Sequence, residues 1–229
     1  MKSLLSIIKG FTPPYIISLA DKIKKKLKLG TWNPDHPQSP ENQDFLFDGD
    51  GEEFKQFIQR SKVYLEWGCG KSTIWANKNS ACKIYTIDTS QEWLDHVIAK
   101  CTNRTNINLV HIDCGKLGDW GMPRNYEKRE NFKRYTGYLS SFKEVKKPDL
   151  VLVDGRFRVC CFLNALLNCS PSTVIIFDDY LPRGQYHIVE EIAGKPWKTC
   201  GRQAIFKVPE NIDIEKTLHL IDRFQFVFD

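Results

Sequence analysis

Acidic residues stand where apolar runs end. Glu66 follows Val63-Tyr64-Leu65, Asp88 closes Lys83–Asp88, and Asp113 closes Asn108–Asp113. Asp154 closes Asp149–Asp154, and Asp178 with Asp179 closes Thr173–Asp178. One carboxylate after a strand is commonplace, because the next helix N-terminus favours negative charge. A whole row is less easily assigned to capping. In an open parallel sheet these strand ends share one edge, and ligands bind there.

A second signal lies at the first of these ends, in LEWGCGKST over residues 65–73. Its centre, GCGKST, resembles a triphosphate loop. That loop needs a glycine five residues before its Gly-Lys-Ser, so that consecutive N–H groups wrap a phosphate. Counting back from Gly70 reaches Leu65, inside the apolar run, so the turn is too short. What remains is a strand ending at Glu66, a tight turn through Gly68 and Gly70, and a helix opening with Ser72 and Thr73. This is the first strand–helix junction of a doubly wound nucleotide fold. Ser72 or Thr73 would cap some helix N–H groups and leave others for a ligand.

The elements that must position these residues follow from periodicity. Helical stretches such as Gln91–Thr102 and Phe157–Asn168 separate the apolar runs, which implies a mostly parallel sheet with right-handed crossovers. Near the end, Trp197–Cys200 and Gln203–Val208 flank Gly201-Arg202 and read as an edge hairpin. The predicted fold is α/β: a doubly wound, seven-stranded, Rossmann-like sheet with a C-terminal antiparallel hairpin. No internal repeat is visible.

The chain has 229 residues, 41% of them hydrophobic and 12% aromatic, enough for one α/β domain with a full core. The net charge of +5 is modest, and part of it sits in the single run Lys22–Lys28, so nucleic-acid binding is not indicated by charge alone. Eight cysteines are scattered without a CxxC pair, which argues against structural zinc and for a reducing cytoplasm. Adjacent Cys160 and Cys161 fall in a helix expected to be buried. Residues 1–48 read as an N-terminal arm and linker, with the α/β domain over 49–229. Lys9 and Pro13-Pro14 interrupt the apolar patches of the arm, so no membrane span can be drawn. Tyr15–Leu29 has the pattern of a basic amphipathic helix, open to packing on a protein or to peripheral membrane contact through residues 1–29.

Taken together, LEWGCGKST (65–73), YTIDTSQEWL (85–94), VHIDCG (110–115), PDLVLVDGRFR (148–158) and VIIFDDYLPRGQY (174–186) resemble the class I S-adenosylmethionine-dependent methyltransferases over roughly residues 50–208. The resemblance implies S-adenosyl-L-methionine as cofactor. Glu66 and the backbone at Gly68 and Gly70 would hold its methionine part. Asp88, 22 positions after Glu66, would accept from the ribose hydroxyls, and Asp113 would meet the adenine amino group. Trp93 is placed for an adenine-side wall, or equally for the core.

VDG at 153–155 followed by DDY at 178–180 narrows the resemblance to metal-dependent sugar O-methyltransferases of the macrocin and noviose type. In that family three carboxylates hold Mg²⁺, which would map onto Asp154, Asp178 and Asp179, with Mn²⁺ as a substitute. Converging carboxylates repel, so one must stay protonated unless a cation joins them. Magnesium takes oxygen ligands, keeps positions open for substrate, and would acidify a bound hydroxyl. The pairing of Asp178 or Asp179 with Arg183 is the competing account.

Arg156 stands where those enzymes often place an acidic base, with Arg158 close behind. Proton removal then falls to His187, Asp179 or metal-bound water, and the catalytic candidates are Asp154, Asp179, His187 and Arg156. The two arginines would bind an acceptor phosphate or carboxylate, or else neutralise the aspartates. Residues 116–142 have the length family members place over the acceptor. Trp120, Tyr126, Tyr135, Tyr138 and Phe142 would stack on sugar rings, with Arg124, Lys128, Arg129, Lys133 and Arg134 between them. The reading is a cytoplasmic O-methyltransferase acting on a carbohydrate hydroxyl of a glycan or nucleotide-sugar. Methylation of a nucleic acid or a small aromatic, and a non-catalytic cofactor-binding module, remain as alternatives. A homodimer is left open.

Overall fold

The computed structural model describes residues 46–47, 51–141 and 147–229. The arm and linker expected over 1–48 lie outside the described residues except Leu46 and Phe47, and so does Phe142.

Helix α1 (Glu52–Arg60) carries Glu52 and Glu53 in its first turn and Arg60 in its last, matching the helix dipole. Phe54 and Ile58, four apart, are its buried face. Then β1 (Val63–Trp67), α2 (Lys71–Asn79), β2 (Lys83–Asp88), α3 (Gln91–Lys100) and β3 (Ile107–His111) alternate as expected. A segment with α4 (Arg129–Thr136) intervenes before β4 (Leu150–Val153). After it come α5 (Arg158–Asn168), β5 (Val174–Phe177), the short α6 (Glu190–Ala193), β6 (Lys198–Cys200), β7 (Gln203–Lys207) and α7 (Ile214–Phe224).

The seven strands run in the order β3-β2-β1-β4-β5-β7-β6. The first five are parallel, and β7 pairs antiparallel with both β5 and β6. The Rossmann-like sheet with its terminal hairpin is therefore as expected. Strand order reverses between β1 and β4, so the ligand crevice opens at their carboxyl ends.

The central strands are buried on both faces, and their side chains alternate between two cores. Val63, Leu65 and Trp67 join Val151, Val153, Ile175 and Phe177 under α5 and α7. Tyr64, Leu150, Leu152 and Ile176 join Phe54 and Ile58 of α1 on the other face. Each fully buried aliphatic or aromatic side chain contributes about 1.5–3 kcal/mol, so a one-residue register slip would exchange two packed faces. Cys160 and Cys161 are fully buried, and the eight cysteines are all free thiols. Among the described residues no helix is long and apolar enough to cross a membrane.

Several strands are a residue or two shorter than their apolar runs suggest. Asp113, Asp154 and Asp178 consequently stand just beyond their strands rather than inside them.

Candidate functional site

The crevice is built around a glycine contact. Gly68 has φ +88, and a Cβ there would lie 2.7 Å from the carbonyl oxygen of Asp154 and from the Cα of Gly155. A Cβ on Gly155 would come within 2.2 Å of the Tyr135 hydroxyl. The turn after β1 and the turn after β4 thus touch backbone to backbone, which only glycine permits. Gly70 faces open space, since nothing lies within 4 Å of the position a Cβ would take.

Glu66 is fully buried beneath this turn. Its carboxyl accepts from the Tyr64 hydroxyl at 2.6 Å, the Ser72 hydroxyl at 2.8 Å and the Thr73 hydroxyl. Burial pushes its pKa up to about 7, although the hydroxyls of Thr73, Tyr64 and Ser72 work the other way. Thr73 also accepts from the Gly70 N–H at 2.9 Å. Ser72 and Thr73 therefore turn inward to lock the turn, and Thr73, by accepting from the Gly70 N–H, also caps the start of α2 as expected. Tyr64 was not anticipated, because its hydroxyl reaches Glu66 from two residues earlier on the same strand face.

Asp88 accepts from the backbone N–H groups of Cys69 at 3.0 Å and Ser90 at 2.8 Å. Burial raises its pKa, opposed by those N–H donors. Trp93 donates its indole N–H to the Cys69 carbonyl at 2.6 Å and stacks on His96. It is half-buried beside Leu94 and Val97, so it braces the glycine turn from the side. Asp113 is exposed, pairs with Lys128, and accepts from the Gly115 N–H at 2.9 Å. Hydrogen bonding to Lys128 lowers its pKa. Glu66, Gly68, Gly70, Asp88 and Trp93 are thus joined in one bonded turn, with Asp113 on the edge next to β2.

On the other side of the glycine contact, Asp154, Asp178 and Asp179 do converge, with one oxygen from each inside a 4.8 Å span. Adjacent residues ordinarily point to opposite faces. Asp179 instead adopts a left-handed conformation, φ 56, which turns its carboxylate back beside that of Asp178. Aspartate tolerates that region better than most residues.

Three arginines occupy the space among them. Arg158 reaches Asp154 and Asp179, each at 3.1 Å. Arg202 reaches Asp178 at 2.5 Å and Asp179 at 2.9 Å. Arg183 reaches Asp179 at 3.0 Å. Gln203 adds a bond to Asp178 at 2.9 Å. Burial by itself would raise the Asp178 pKa, yet hydrogen bonds and charge from Arg202, then Arg158, hold it below the ordinary value. Asp154 goes the other way: burial and the neighbouring Asp178 raise it strongly, with Arg158 opposing.

This arrangement corrects the charge argument for Mg²⁺ or Mn²⁺. Three carboxylates are matched by three guanidinium groups, so no further cation is needed to relieve their repulsion. A divalent ion would have to displace arginine nitrogens from Asp178 and Asp179 and lie beside their positive charge. As arranged, the residues do not fit the ion. Sequence reasoning offered Arg183 and, loosely, Arg156 and Arg158 as partners; Arg183 and Arg158 reach the aspartates, and Arg156 does not. Arg202 was missed because only the strand order, with β7 beside β5, brings its hairpin tip to Asp178.

His187 is exposed, stacks on Tyr180, and shares a 3.3 Å contact with the Tyr180 carbonyl. None of its contacts is with the three aspartates, so it is not brought into the cluster as a base. Arg156 donates its backbone N–H to the Tyr135 hydroxyl at 3.3 Å and its guanidinium to the Asp229 carbonyl. Tyr135 is buried and Tyr138 half-buried, while Trp120 and Tyr126 are exposed. Tyr135 is thus a core residue rather than a stacking face. Arg124, Lys128, Arg129, Lys133 and Arg134 are all exposed.

No protein-family model matches the chain, and no curated protein matches it. Among solved structures, a methyltransferase-like protein from Silicibacter pomeroyi is 30% identical, with a TM-score of 0.69 over 76% of this chain and 92% of that one. The cofactor-bound Rv0187 from MTB is 13% identical, with a TM-score of 0.51 over 87% of this chain and 99% of that one, and shares the fold.

Proposed function

Since the chain belongs to the S-adenosylmethionine-dependent methyltransferases, we propose that it methylates a hydroxyl group of a carbohydrate. The observation that carries this reading is Asp154. It lies at the switch point directly across the Gly68–Gly155 contact from the glycine turn. Arg158 holds one of its oxygens, while its side chain stays 29% exposed, unlike fully buried Asp178. A carboxylate so placed accepts a hydrogen bond from an acceptor hydroxyl and takes its proton as the methyl group is transferred.

The chemistry is an in-line displacement. With S-adenosylmethionine bound, the acceptor oxygen would displace the sulfur at its methyl carbon, with S-adenosylhomocysteine as the leaving group. Most of the acceleration comes from holding oxygen and methyl group in line, a task suited to two turns locked backbone to backbone. S-adenosylmethionine, when bound, supplies the sulfonium methyl group. Asp88 offers a ribose acceptor, and the open space at Gly70 admits close approach by the methionine part. Arg158, Arg183 and Arg202 fix Asp178 and Asp179 as a rigid floor, and no step is routed through a metal. The carbohydrate class rests on the VDG and DDY motifs.

The test is transfer of labelled methyl groups to a panel of sugars, nucleotide-sugars, phenols and RNA, with and without EDTA. Sugar methylation that survives EDTA supports the proposal. Turnover confined to phenols or RNA refutes the acceptor class, and cofactor binding with no turnover on any substrate refutes the enzyme. Loss of sugar methylation in EDTA would restore the metal.

A further inference from the structure

Phe157 stands in the left-handed region at φ 55, at the start of α5 and three residues beyond Asp154. A bulky side chain with that backbone is an outlier. Such strain persists only where the surroundings over-determine it, and it collects at functional sites. Two things hold it here: ring packing, and a strap that returns from α7.

The buried ring of Phe157 lies 4.8 Å from Phe132, 5.8 Å from Tyr135 and 6.0 Å from Phe228, centre to centre. After α7 the chain turns, with the Val227 N–H donating to the Phe224 carbonyl at 2.9 Å, and residues 226–229 run back to the start of α5. Phe226 and Phe228 lie 6.2 and 5.1 Å from Tyr126, which ties the segment before α4 into the same cluster. Asp229 then closes the strap on both sides of Phe157. Its side chain accepts from the Arg158 N–H at 3.1 Å, and its main-chain oxygen accepts from the Arg156 guanidinium. The Tyr186 hydroxyl, which accepts from Arg183 at 2.9 Å, faces the same side chain.

We infer that residues 226–229 position Asp154, with Phe228 and Asp229 as the positioning residues. The strap fixes Phe157, and the backbone at Phe157 sets the direction in which Arg158 leaves the chain. Arg158 in turn donates from Nε to the Gly155 carbonyl at 3.0 Å and reaches the Asp154 carboxylate at 3.1 Å. Without the strap, Phe157 would relax toward ordinary backbone, the first N–H of α5 would lose its acceptor, and Arg158 would swing away from Asp154. The inference rests on the reading of Asp154 as the base and adds what holds that base in line. Neither Phe228 nor Asp229 touches a reacting atom.

The test uses the full 229-residue chain with no tag after Asp229, labelled S-adenosylmethionine and the best sugar acceptor of the panel above. Asp229→Ala and Phe228→Ala should each lower kcat about ten- to hundredfold, the loss expected when a reacting group is misplaced by about 1 Å. The KM for S-adenosylmethionine and the melting shift with S-adenosylhomocysteine should not change, because the Gly68–Gly155 contact lies outside the strap. Asp229→Asn keeps an oxygen for the Arg158 N–H, and Phe228→Leu keeps apolar bulk, so both should restore most of the rate. A merely structural role would lower Tm and leave the kcat of the folded protein untouched.

A kcat equal to the parent's in both alanine variants overturns the inference, and so does a loss that appears in KM alone. If the parent methylates no sugar, the hydroxyl-acceptor reading fails, and crystal structures of the parent and Asp229→Ala with S-adenosylhomocysteine decide the inference instead. Phe157 leaving the left-handed region, with the Arg158–Asp154 contact broken, supports it. The same Phe157 backbone and the same contact in both structures overturn it.

Discussion

Replacing Arg202 by methionine tests whether guanidinium groups hold the three aspartates. Asp178 is fully buried, and Arg202 gives it contacts at 2.5 and 3.0 Å as well as one to Asp179 at 2.9 Å. Methionine keeps the length of the side chain and removes its charge, leaving Asp178 the single side-chain bond from Gln203. Removing one partner of a buried pair costs about 3–5 kcal/mol. Arg202 is 26% exposed, and water there softens the loss toward roughly 3 kcal/mol. For a chain of this size that corresponds to a Tm lower by roughly 6–12 °C.

The pH dependence gives the prediction its sign. In the native protein the Asp178 pKa is depressed, so its contribution is present above the unfolded value of about 3.9 and is lost as pH falls through the folded value. Without Arg202, burial dominates and the folded pKa rises above the unfolded one. Stability of the variant then falls as pH rises through that new value. The Tm gap between the two proteins should be small near pH 3 and open fully by about pH 6–7. Calorimetric melting across this range, with and without magnesium, reads it. A variant as stable as the parent at pH 7 refutes the pairing argument. So does a parent whose Tm climbs with millimolar magnesium, since an ion bound to the native state alone must stabilise it.

Three further outcomes follow from the cofactor side. Glu66→Gln should remove the loss of stability that accompanies ionisation of a carboxyl raised to about 7, flattening Tm between about pH 4.5 and 7. The raised value means stability present below the unfolded pKa and lost as pH rises through 7, worth about 3 kcal/mol at pH 8; an equally sloped variant counts against it. Asp88→Ala should weaken S-adenosylhomocysteine binding by about ten- to hundredfold in calorimetry, with ATP giving no melting shift to either protein. Gly68→Ala combines left-handed strain with a backbone clash at 2.7 Å, so a loss beyond about 3 kcal/mol is expected in urea unfolding, and a neutral variant would show that the two turns do not touch.

The sheet was legible because its signals are local. Apolar runs of five or so residues ended in carboxylates, and helical spacing filled the gaps between them. The glycine turn was legible by counting, since Leu65 stands where a triphosphate loop needs glycine. The balance of charge at Asp154, Asp178 and Asp179 was not. It depends on Arg202, which lies in the hairpin between β6 and β7 and meets Asp178 only because β7 inserts beside β5. Tyr135 was misread for the opposite reason. Its neighbours Lys133 and Arg134 are exposed, but helical rotation turns its ring into the core beside Phe157. His187 had the right chemistry and the wrong contacts.

The two halves of the site have different dependencies. Glu66, Asp88 and Trp93 are all bonded to the turn 68–73 or its flanks, so the proposed cofactor side is fixed by contacts within β1, β2 and the helices that follow them. The proposed acceptor side draws on β4, β5, the hairpin at Arg202 and the segment ending at Asp229, elements spread over the last third of the chain. The halves meet at Gly68 and Gly155, where neither turn has a side chain to spare. Displacing either turn shifts the other, and that moves Asp154 relative to the cofactor turn. A methyl transfer that depends on alignment is therefore sensitive to changes at this contact, even though neither glycine carries a reactive group.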